Sequence, residues 1–364
     1  MIKILIINST LEQSGITNVI YNLCKYLNRE IFEVHILTLS AESSNTRWNE
    51  FIQLKVNLHT LNLNRFEGLF MLKKKLRKAV AIINPDVIQT MSYRGSYYSF
   101  RFLEKYKKAV TLQGNIYDNY TDEYGKLIGG FFAFNEWRAF NKANLQILCS
   151  NSLKKFYSQN RDLKVIQNGA DGAYFYVPLL LEKKTLRINL KLPASKNIFI
   201  TVGSLNKRKD PLTIIKAFIN SNRTSDSILI IVGEGPLMKT CVKNVQHSPQ
   251  VIFTGNVKIV PDYYKAADVF ISASYSEGLP NTVLEAGLCG IKCFLSDIPQ
   301  HREIFDTTSD QATFFEKGKV EQLITLFNSF QVQSYPQSIK LNAKMMADQY
   351  GESYAALIQP KVIR

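Results

Sequence analysis

The feature that most restricts this chain is a pattern that occurs twice. Short, nearly continuous apolar runs alternate with stretches of helical periodicity, first over residues 2–148 and again from residue 197. Ile2-Lys-Ile-Leu-Ile-Ile7 is rich in branched residues and does not alternate with polar ones. It therefore reads as a strand buried on both faces, as in a parallel sheet. Asn18 to Leu27 follows, with Val19, Ile20, Leu23 and Leu27 at helical spacing. Further strands are predicted at 32–39, around Pro85 to Gln89, at 109–112 and at 145–148. In the second round the strands fall at 197–203, 227–233, 251–255, 269–272 and 291–295, with helices at 211–220, 262–267 and 281–289 between them. Strands separated by helices imply an α/β fold with parallel sheets. A length of 364 residues accommodates two such domains. The prediction is two Rossmann-like, doubly wound domains, 1–172 and 173–340, facing across a cleft lined by the carboxyl ends of their strands. Ligands of such folds bind there. The stretch 172–195, with Val177-Pro178, Glu182-Lys-Lys184 and Pro193, lacks periodicity and reads as the connection.

Gly15, Gly203, Gly233, Gly235, Gly255 and Gly278 all follow an apolar run closely. Glycine there lets the backbone approach a ligand or take a positive φ, which suggests a nucleotide cleft. No Gly-x-Gly-x-x-Gly follows the first strand and no Walker-type loop is present, so a dinucleotide oxidoreductase and a P-loop enzyme are both disfavoured. The first apolar run is too short for a secretory signal and no run approaches a membrane span. Cys24, Cys149, Cys241, Cys289 and Cys293 lack the spacing of a zinc site. They read as reduced, mostly buried thiols of a cytoplasmic protein. The formal net charge of +15 favours anionic partners such as phosphorylated substrates, anionic lipid or nucleic acid, without choosing among them.

The segment Ser274-Tyr-Ser-Glu-Gly-Leu-Pro-Asn-Thr-Val-Leu-Glu-Ala286 places Glu277 and Glu285 on either side of a turn that opens a helix. Within "EGLPNTVLEAGLCG", this Glu-x7-Glu resembles the signature of the retaining family 4 glycosyltransferases. "TVGSLNKRKDP" (201–211), "VGEGPL" (232–237), "VIFTGNV" (251–257), "YYKAADVFISASYSEGLP" (263–280), "LSDIPQHREI" (295–304) and "IQNGAD" (166–171) follow the same family in order and spacing. The resemblance implies a GT-B fold, with 1–172 on the acceptor side, 173–340 binding the donor, and a C-terminal helix within 341–364 packing back on the first domain. It implies transfer of a hexosyl-type sugar from a nucleotide diphosphate sugar, with retention, to a hydroxyl of a saccharide or lipid-linked saccharide. The setting would be cell-surface polysaccharide biosynthesis, in capsule or lipopolysaccharide. The base would lie against Asn256 and Val257, residues that do not choose between uracil and guanine; a UDP-sugar is the expectation.

The chemistry suits these residues. Charge grows on the leaving diphosphate, and stabilising it is the main catalytic task. The chain contains no Asp-x-Asp for a metal, so no cofactor or metal is expected. By family position Lys209 supplies the cation, with Arg208 beside it. The helix opening near Asn281 and Thr282 aims N–H groups at the phosphates, with Pro280 at a first-turn position whose N–H is not needed. The backbone of Gly278 and Leu279, and of Gly15 from the opposing wall, joins them, and Gly203 and Gly233 complete the donor-binding set. Glu277 would reach the donor sugar's hydroxyls and Glu285 the ribose. Two positions depart from the family. Ser204 stands where many members have Arg, which removes one phosphate cation. Gln113 stands where many have His; it can hydrogen-bond to the sugar but not titrate. A general base there is disfavoured, in keeping with a same-face substitution in which the leaving phosphate takes the acceptor's proton. His301 reads as a surface histidine.

Residues 68–83 form an amphipathic stretch. Leu69, Leu72, Leu76, Ala79, Val80 and Ile83 are expected to face the core. Lys73, Lys74, Lys75, Arg77 and Lys78 are either a solvated face or a dock on anionic lipid at the inner face of the plasma membrane. Aromatics at 93–102 and 116–137 either line an acceptor groove or pack the core. A GT-B epimerase or phosphorylase and a basic nucleic-acid-binding protein are the competing readings. No nucleic-acid module is present, so nucleic acid is not expected as a partner.

Overall fold

The computed structural model describes residues 1–157, 163–245, 248–305, 308–333, 335–336 and 339–358. The chain divides into two compact units, Met1–Gly169 with Ala343–Arg364, and Ala170–Asn342.

The first unit is built on seven parallel strands: β1 (Ile2–Asn8), β2 (Phe32–Ser40), β3 (Asn57–Leu63), β4 (Val87–Thr90), β5 (Lys107–Leu112), β6 (Leu145–Leu148) and β7 (Lys164–Val165). Their order is β3-β2-β1-β4-β5-β6-β7. The central β1 carries the unbroken apolar run, because both its faces are covered: Ile4 and Ile6 enter one core cluster, Leu5 and Ile7 the other. β3 escaped the sequence reading. It is an edge strand whose polar residues, Asn57, Thr60 and Asn62, are exposed, so no apolar run marks it. The helix Ala343–Ile358 packs on the helix Gly15–Tyr26 in this unit. Its Tyr354 hydroxyl donates to Gln89 Oε1 at 2.9 Å, and Tyr350 and Thr111 share a bond of 3.0 Å. Residues 359–364 of the expected C-terminal segment lie outside the described residues.

The segment Ile116–Asn141 is broken at Gly125, where φ is 77° and ψ is 168°. A non-glycine residue rarely takes such a backbone. The two arms fold together so closely that a Cβ on Gly129 would strike the backbone of Tyr120. The aromatics of 93–102 and 116–137 meet between the helices, with Tyr93 4.8 Å from Phe132 and Tyr124 5.1 Å from it, centroid to centroid. Inside this cluster the Tyr120 hydroxyl donates to Glu136, which is 3% exposed. Burial pushes the Glu136 carboxyl from 4.5 up to about 7, and the Tyr120 bond opposes only part of that shift. The folded unit therefore binds this proton more tightly than the unfolded chain. The stability it lends is fully present below about pH 4.5 and is lost as the pH rises through about 7. Glu136→Gln should flatten that part of the melting-temperature profile and be more stable than wild type at about pH 8. Parallel profiles for the two proteins would refute this.

The second unit has six parallel strands: β8 (Asn197–Val202), β9 (Ser227–Val232), β10 (Val251–Gly255), β11 (Val269–Ser272), β12 (Lys292–Ser296) and β13 (Ala312–Phe315), in the order β10-β9-β8-β11-β12-β13. Its core gathers Phe199, Phe218, Phe294, Phe327 and Phe330. The stretch expected to be an irregular connection is instead partly helical, Leu180–Asn189. Its anchors are polar rather than apolar, which is why no periodicity showed. Lys183 and Arg187 each reach Asp268 at 2.7 Å, and Arg187 Nε donates to the Ala266 carbonyl at 3.0 Å. Leu179, Leu180 and Leu181 remain exposed. All five cysteines are buried and none is in a disulfide.

Candidate active site

The site assembles where β8, β11 and β12 of the second unit end. After β8 the chain turns through Gly203, with φ at 143°, and runs as a loop to Asp210. Asp210 takes a left-handed φ of 46° and caps the helix Pro211–Ile219 through its side chain. Lys209 N donates to Asn206 Oδ1 at 3.0 Å. The loop after β11 is tied to this one by a backbone bond, Tyr275 N to Arg208 O, at 2.8 Å. The two loops thereby bring Glu277 against the basic pair. Arg208 Nη1 donates to Glu277 Oε2 at 2.7 Å and to the Ser276 carbonyl at 2.6 Å. Lys209 Nζ pairs with Glu277 Oε1.

Glu277 is 6% exposed. Burial alone would raise its carboxyl pKa, but the charges of Arg208 and Lys209 outweigh that and hold it well below the usual carboxylate range. Lys209 is shifted down, by burial first, with Glu277 opposing the shift. Two cations thus converge directly on one carboxylate, and the charge of Glu285 also acts on Lys209. As the residue next to Lys209 in the chain, Arg208 could point either toward or away from it. Its bond to Glu277 shows that it joins Lys209, so the loop carries two clustered cations although Ser204 is not one.

The helix Asn281–Leu288 starts beside Glu277. It has no side-chain cap and no acid in its first turn. Pro280 is its N-cap rather than a first-turn residue, with φ −72° and ψ 110°. Positive partial charge at this helix start lies beside the two cations. Glu285, on the same helix, is 7% exposed. The Tyr264 hydroxyl lies against its carboxylate and 3.2 Å from the Thr282 carbonyl. Burial and the Glu285 charge raise the Tyr264 pKa well above its usual value. No spacing in the sequence would have paired these two residues.

An open depression is lined by Gly203, Ser204, Lys209, Val232, Ser272 and Ser274, among others. Ser204 is exposed there, and Gly278 and Leu279 are buried. The glycines after β9 have a more structural part than expected. A Cβ on Gly233 would strike the Gly203 carbonyl, and one on Gly235 would come within 2.5 Å of Leu205 O. They let neighbouring loops pack, with Leu205 N donating to Glu234 O at 2.9 Å. Asn256 and Val257 lie after β10, two strands from β8. Asn256 is exposed, with Nδ2 at 3.4 Å from Glu234 Oε2.

Gln113 and Gly15 belong to the first unit. Gln113 Oε1 accepts from Asn168 Nδ2 at 3.1 Å. Gly15 opens a helix capped by Ser14. On the helix Arg65–Ile83, Leu72, Leu76, Val80 and Ile83 are buried as expected, but Leu69 is 76% exposed, beside exposed Phe66 and Phe70. The apolar stripe turns away from the core over its first turns. Lys73, Lys74, Arg77 and Lys78 are exposed and Lys75 is half-buried. Arg77 Nε donates to the Phe102 carbonyl at 3.0 Å. His301, expected at the surface, is fully buried. Its ring nitrogens face the Ser272 hydroxyl and the Ser296 hydroxyl and carbonyl, at the ends of two strands, which local sequence does not announce.

Comparison with known proteins agrees with this architecture. Residues 13–173 match the model of "Glycosyltransferase Family 4", and residues 182–345 match "Glycosyl transferases group 1". An Escherichia coli UDP-Gal:alpha-D-GlcNAc-diphosphoundecaprenol alpha-1,3-galactosyltransferase is 30% identical over 170 residues, 43% of this chain and 44% of that one. The chain thus spans less than half the length of that relative. The Escherichia coli O-antigen biosynthesis glycosyltransferase WclY is 25% identical over 317 residues, 84% of this chain and 82% of that one. In structure, Anabaena Alr3699/HepE in complex with UDP and glucose superposes with a TM-score of 0.79 at 16% identity, covering 98% of this chain and 100% of that one. With one family model matching each half, and a parallel α/β unit in each, the chain belongs to the family 4 glycosyltransferases of the GT-B fold.

Proposed function

We propose that the protein transfers a hexosyl-type sugar from a UDP-sugar to a hydroxyl of a saccharide or lipid-linked saccharide, with retention and without a metal. The observation that carries this is the convergence of Arg208 and Lys209 on Glu277, beside an uncapped helix start at Asn281. A diphosphate placed there would meet two cations and a helix start with no side-chain cap. As the bond from the anomeric carbon to the diphosphate breaks, charge grows on the phosphate oxygens, and these groups stabilise it. The acceptor oxygen bonds to the same face of the anomeric carbon, and its proton passes to the departing phosphate oxygen. No protein base is then required, and Gln113 serves as a hydrogen-bonding group toward the sugar. Glu277 holds the cations and keeps lone pairs to accept from a sugar hydroxyl. Glu285 is assigned to the ribose. The unit 170–342 binds the donor and the other unit the acceptor. The relatives' printed roles in O-antigen, capsule and lipid-diphosphate-linked sugar transfer support a place in cell-surface polysaccharide assembly.

Among the described residues no helix is long and apolar enough to cross a membrane. We assign a lipid-linked acceptor to a bilayer that the protein meets peripherally, through the exposed part of the helix Arg65–Ile83.

The test is a thermal-shift titration with UDP in excess EDTA, followed by UDP release from UDP-galactose, UDP-glucose and UDP-N-acetylglucosamine with a diphosphate-linked saccharide acceptor. UDP at a hundredfold excess over its Kd should stabilise the protein by about 2.7 kcal/mol. Turnover should persist in EDTA and give an α-linked product from an α-linked donor. Dependence on manganese or magnesium would remove metal independence. A β-linked product would remove retention, and no binding or turnover of any sugar nucleotide would remove the reading itself.

A further inference from the structure

The donor site rests on Glu277, and a histidine is buried within reach of that carboxylate's charge. His301 is fully buried on the helix Pro299–Ile304. Its Nδ1 lies 2.7 Å from the Ser296 carbonyl. A carbonyl can only accept, so Nδ1 carries the proton. Nε2 faces the Ser272 hydroxyl at 3.4 Å. The Ser296 hydroxyl donates to the Ser274 carbonyl at 2.6 Å. The Ser274 hydroxyl is 3.2 Å from Ser272 Oγ and hydrogen-bonds to the Glu277 carboxylate. An ionised carboxylate can only accept, so this bond takes the Ser274 proton. Ser272, Ser274 and Ser296 are each 6% exposed or less. Buried polar groups are costly unless their partners are in place, and here the bonds run in sequence from the imidazole to the carboxylate.

The position of this chain in the sheet matters. The β11–β12 ladder ends at the pair Ser272 and Leu295. Ser274 lies beyond it, with Glu277 three residues further. Past the ladder's end, the Ser296 hydroxyl ties the Ser274 backbone to β12, and His301 in turn ties Ser296. We propose that His301 is a positioning residue of the donor site: through Ser296 and Ser274 it sets the place of Glu277, the shared anchor of Arg208 and Lys209. It acts by hydrogen-bond geometry rather than charge. Burial pushes its pKa down to about 4, with the bond to Ser296 opposing, so the ring is neutral at ordinary pH. The inference rests on the donor-site reading.

The test uses the full chain, with inorganic pyrophosphate and UDP as probes in isothermal titration. His301→Phe fills the space but offers no donor to Ser296. His301→Asn restores an N–H near the place of Nδ1. Pyrophosphate and UDP should each bind about tenfold more weakly to His301→Phe, which is about 1.4 kcal/mol, and within about threefold of wild type to His301→Asn. Ser296→Ala, which cuts the tether but keeps the histidine, should weaken binding as His301→Phe does and serves in its place if that variant does not fold. Nitrogen-15 NMR of labelled imidazole should show the neutral Nδ1–H form at pH 7. Wild-type affinity in His301→Phe or Ser296→Ala, or equal loss in His301→Phe and His301→Asn, would overturn the positioning role while leaving the donor site standing. Wild-type protein that binds neither probe would remove both.

Discussion

Glu277→Ala is expected to destabilise the unit 170–342 by about 3–5 kcal/mol, the usual cost of stripping one partner from a buried ion pair. The reason lies in the geometry. Arg208 and Lys209 both end on this carboxylate, and without it two clustered cations face each other with no directly paired acid, only the charge of Glu285 still acting on Lys209. Lys209 can escape part of the cost by giving up its proton, since burial already lowers its pKa. Denaturant unfolding measures the loss directly. Pyrophosphate should recover more stability in the variant than in wild type, because the anion supplies the missing charge. Lys209→Ala should behave differently. It leaves Glu277 paired with Arg208, so the fold suffers less, while turnover of the UDP-sugar falls by about 10²–10³-fold, as when one transition-state charge stabiliser is removed. A change below about 1 kcal/mol in Glu277→Ala would show that the cluster carries little of the fold. Near-normal turnover in Lys209→Ala would remove that residue from the chemistry.

The second large effect is expected at the membrane. Lys73, Lys74 and Lys78 are exposed, and each cation near an anionic surface contributes about 1 kcal/mol. Reversing all three to Glu should weaken binding to phosphatidylserine-rich vesicles by at least about 100-fold. Arg77 is left alone because it is tied to the Phe102 carbonyl. The exposed Phe66, Leu69 and Phe70 make a separate contribution, about 1.5–3 kcal/mol for each side chain fully buried in the lipid boundary. Salt distinguishes the two parts. Screening over roughly 8 Å at physiological ionic strength removes the first and leaves the second. Changing the three apolar residues to Ser should therefore abolish the binding that survives high salt. Vesicle co-sedimentation of both variants across a salt series decides it. No binding by the wild-type protein would return this helix to a solvated face.

Central and edge elements of the two sheets differ in how plainly the amino-acid sequence marks them. The central strands announce themselves because a parallel strand covered on both faces must be apolar throughout; Ile2 to Ile7 and Ser227 to Val232 could hardly be anything else. Two successive sets of such strands, with helices between, were enough for the fold class, and the order of segments around Glu277 was enough for the family. Two of the elements that the sequence did not predict share one physical cause. β3 and the helix Leu180–Asn189 are held by an edge ladder and by bonds to Asp268, neither of which leaves a hydrophobic period behind.

The amino-acid sequence by itself determined the apolar central elements, their alternation and the residues that could carry charge at the site. It could not determine which way those charges point. Arg208 reaches Glu277 only because Asp210 turns the backbone left-handed and Tyr275 ties one loop to the other. Leu69 faces outward although its spacing matches the buried Leu72 and Leu76. His301 is buried because Ser272 and Ser296, from two neighbouring strands, supply its partners. Periodicity and propensity act over a few residues along the chain. Hydrogen bonds and ion pairs between strand ends join residues tens of positions apart, and only the packed sheet decides which of them meet.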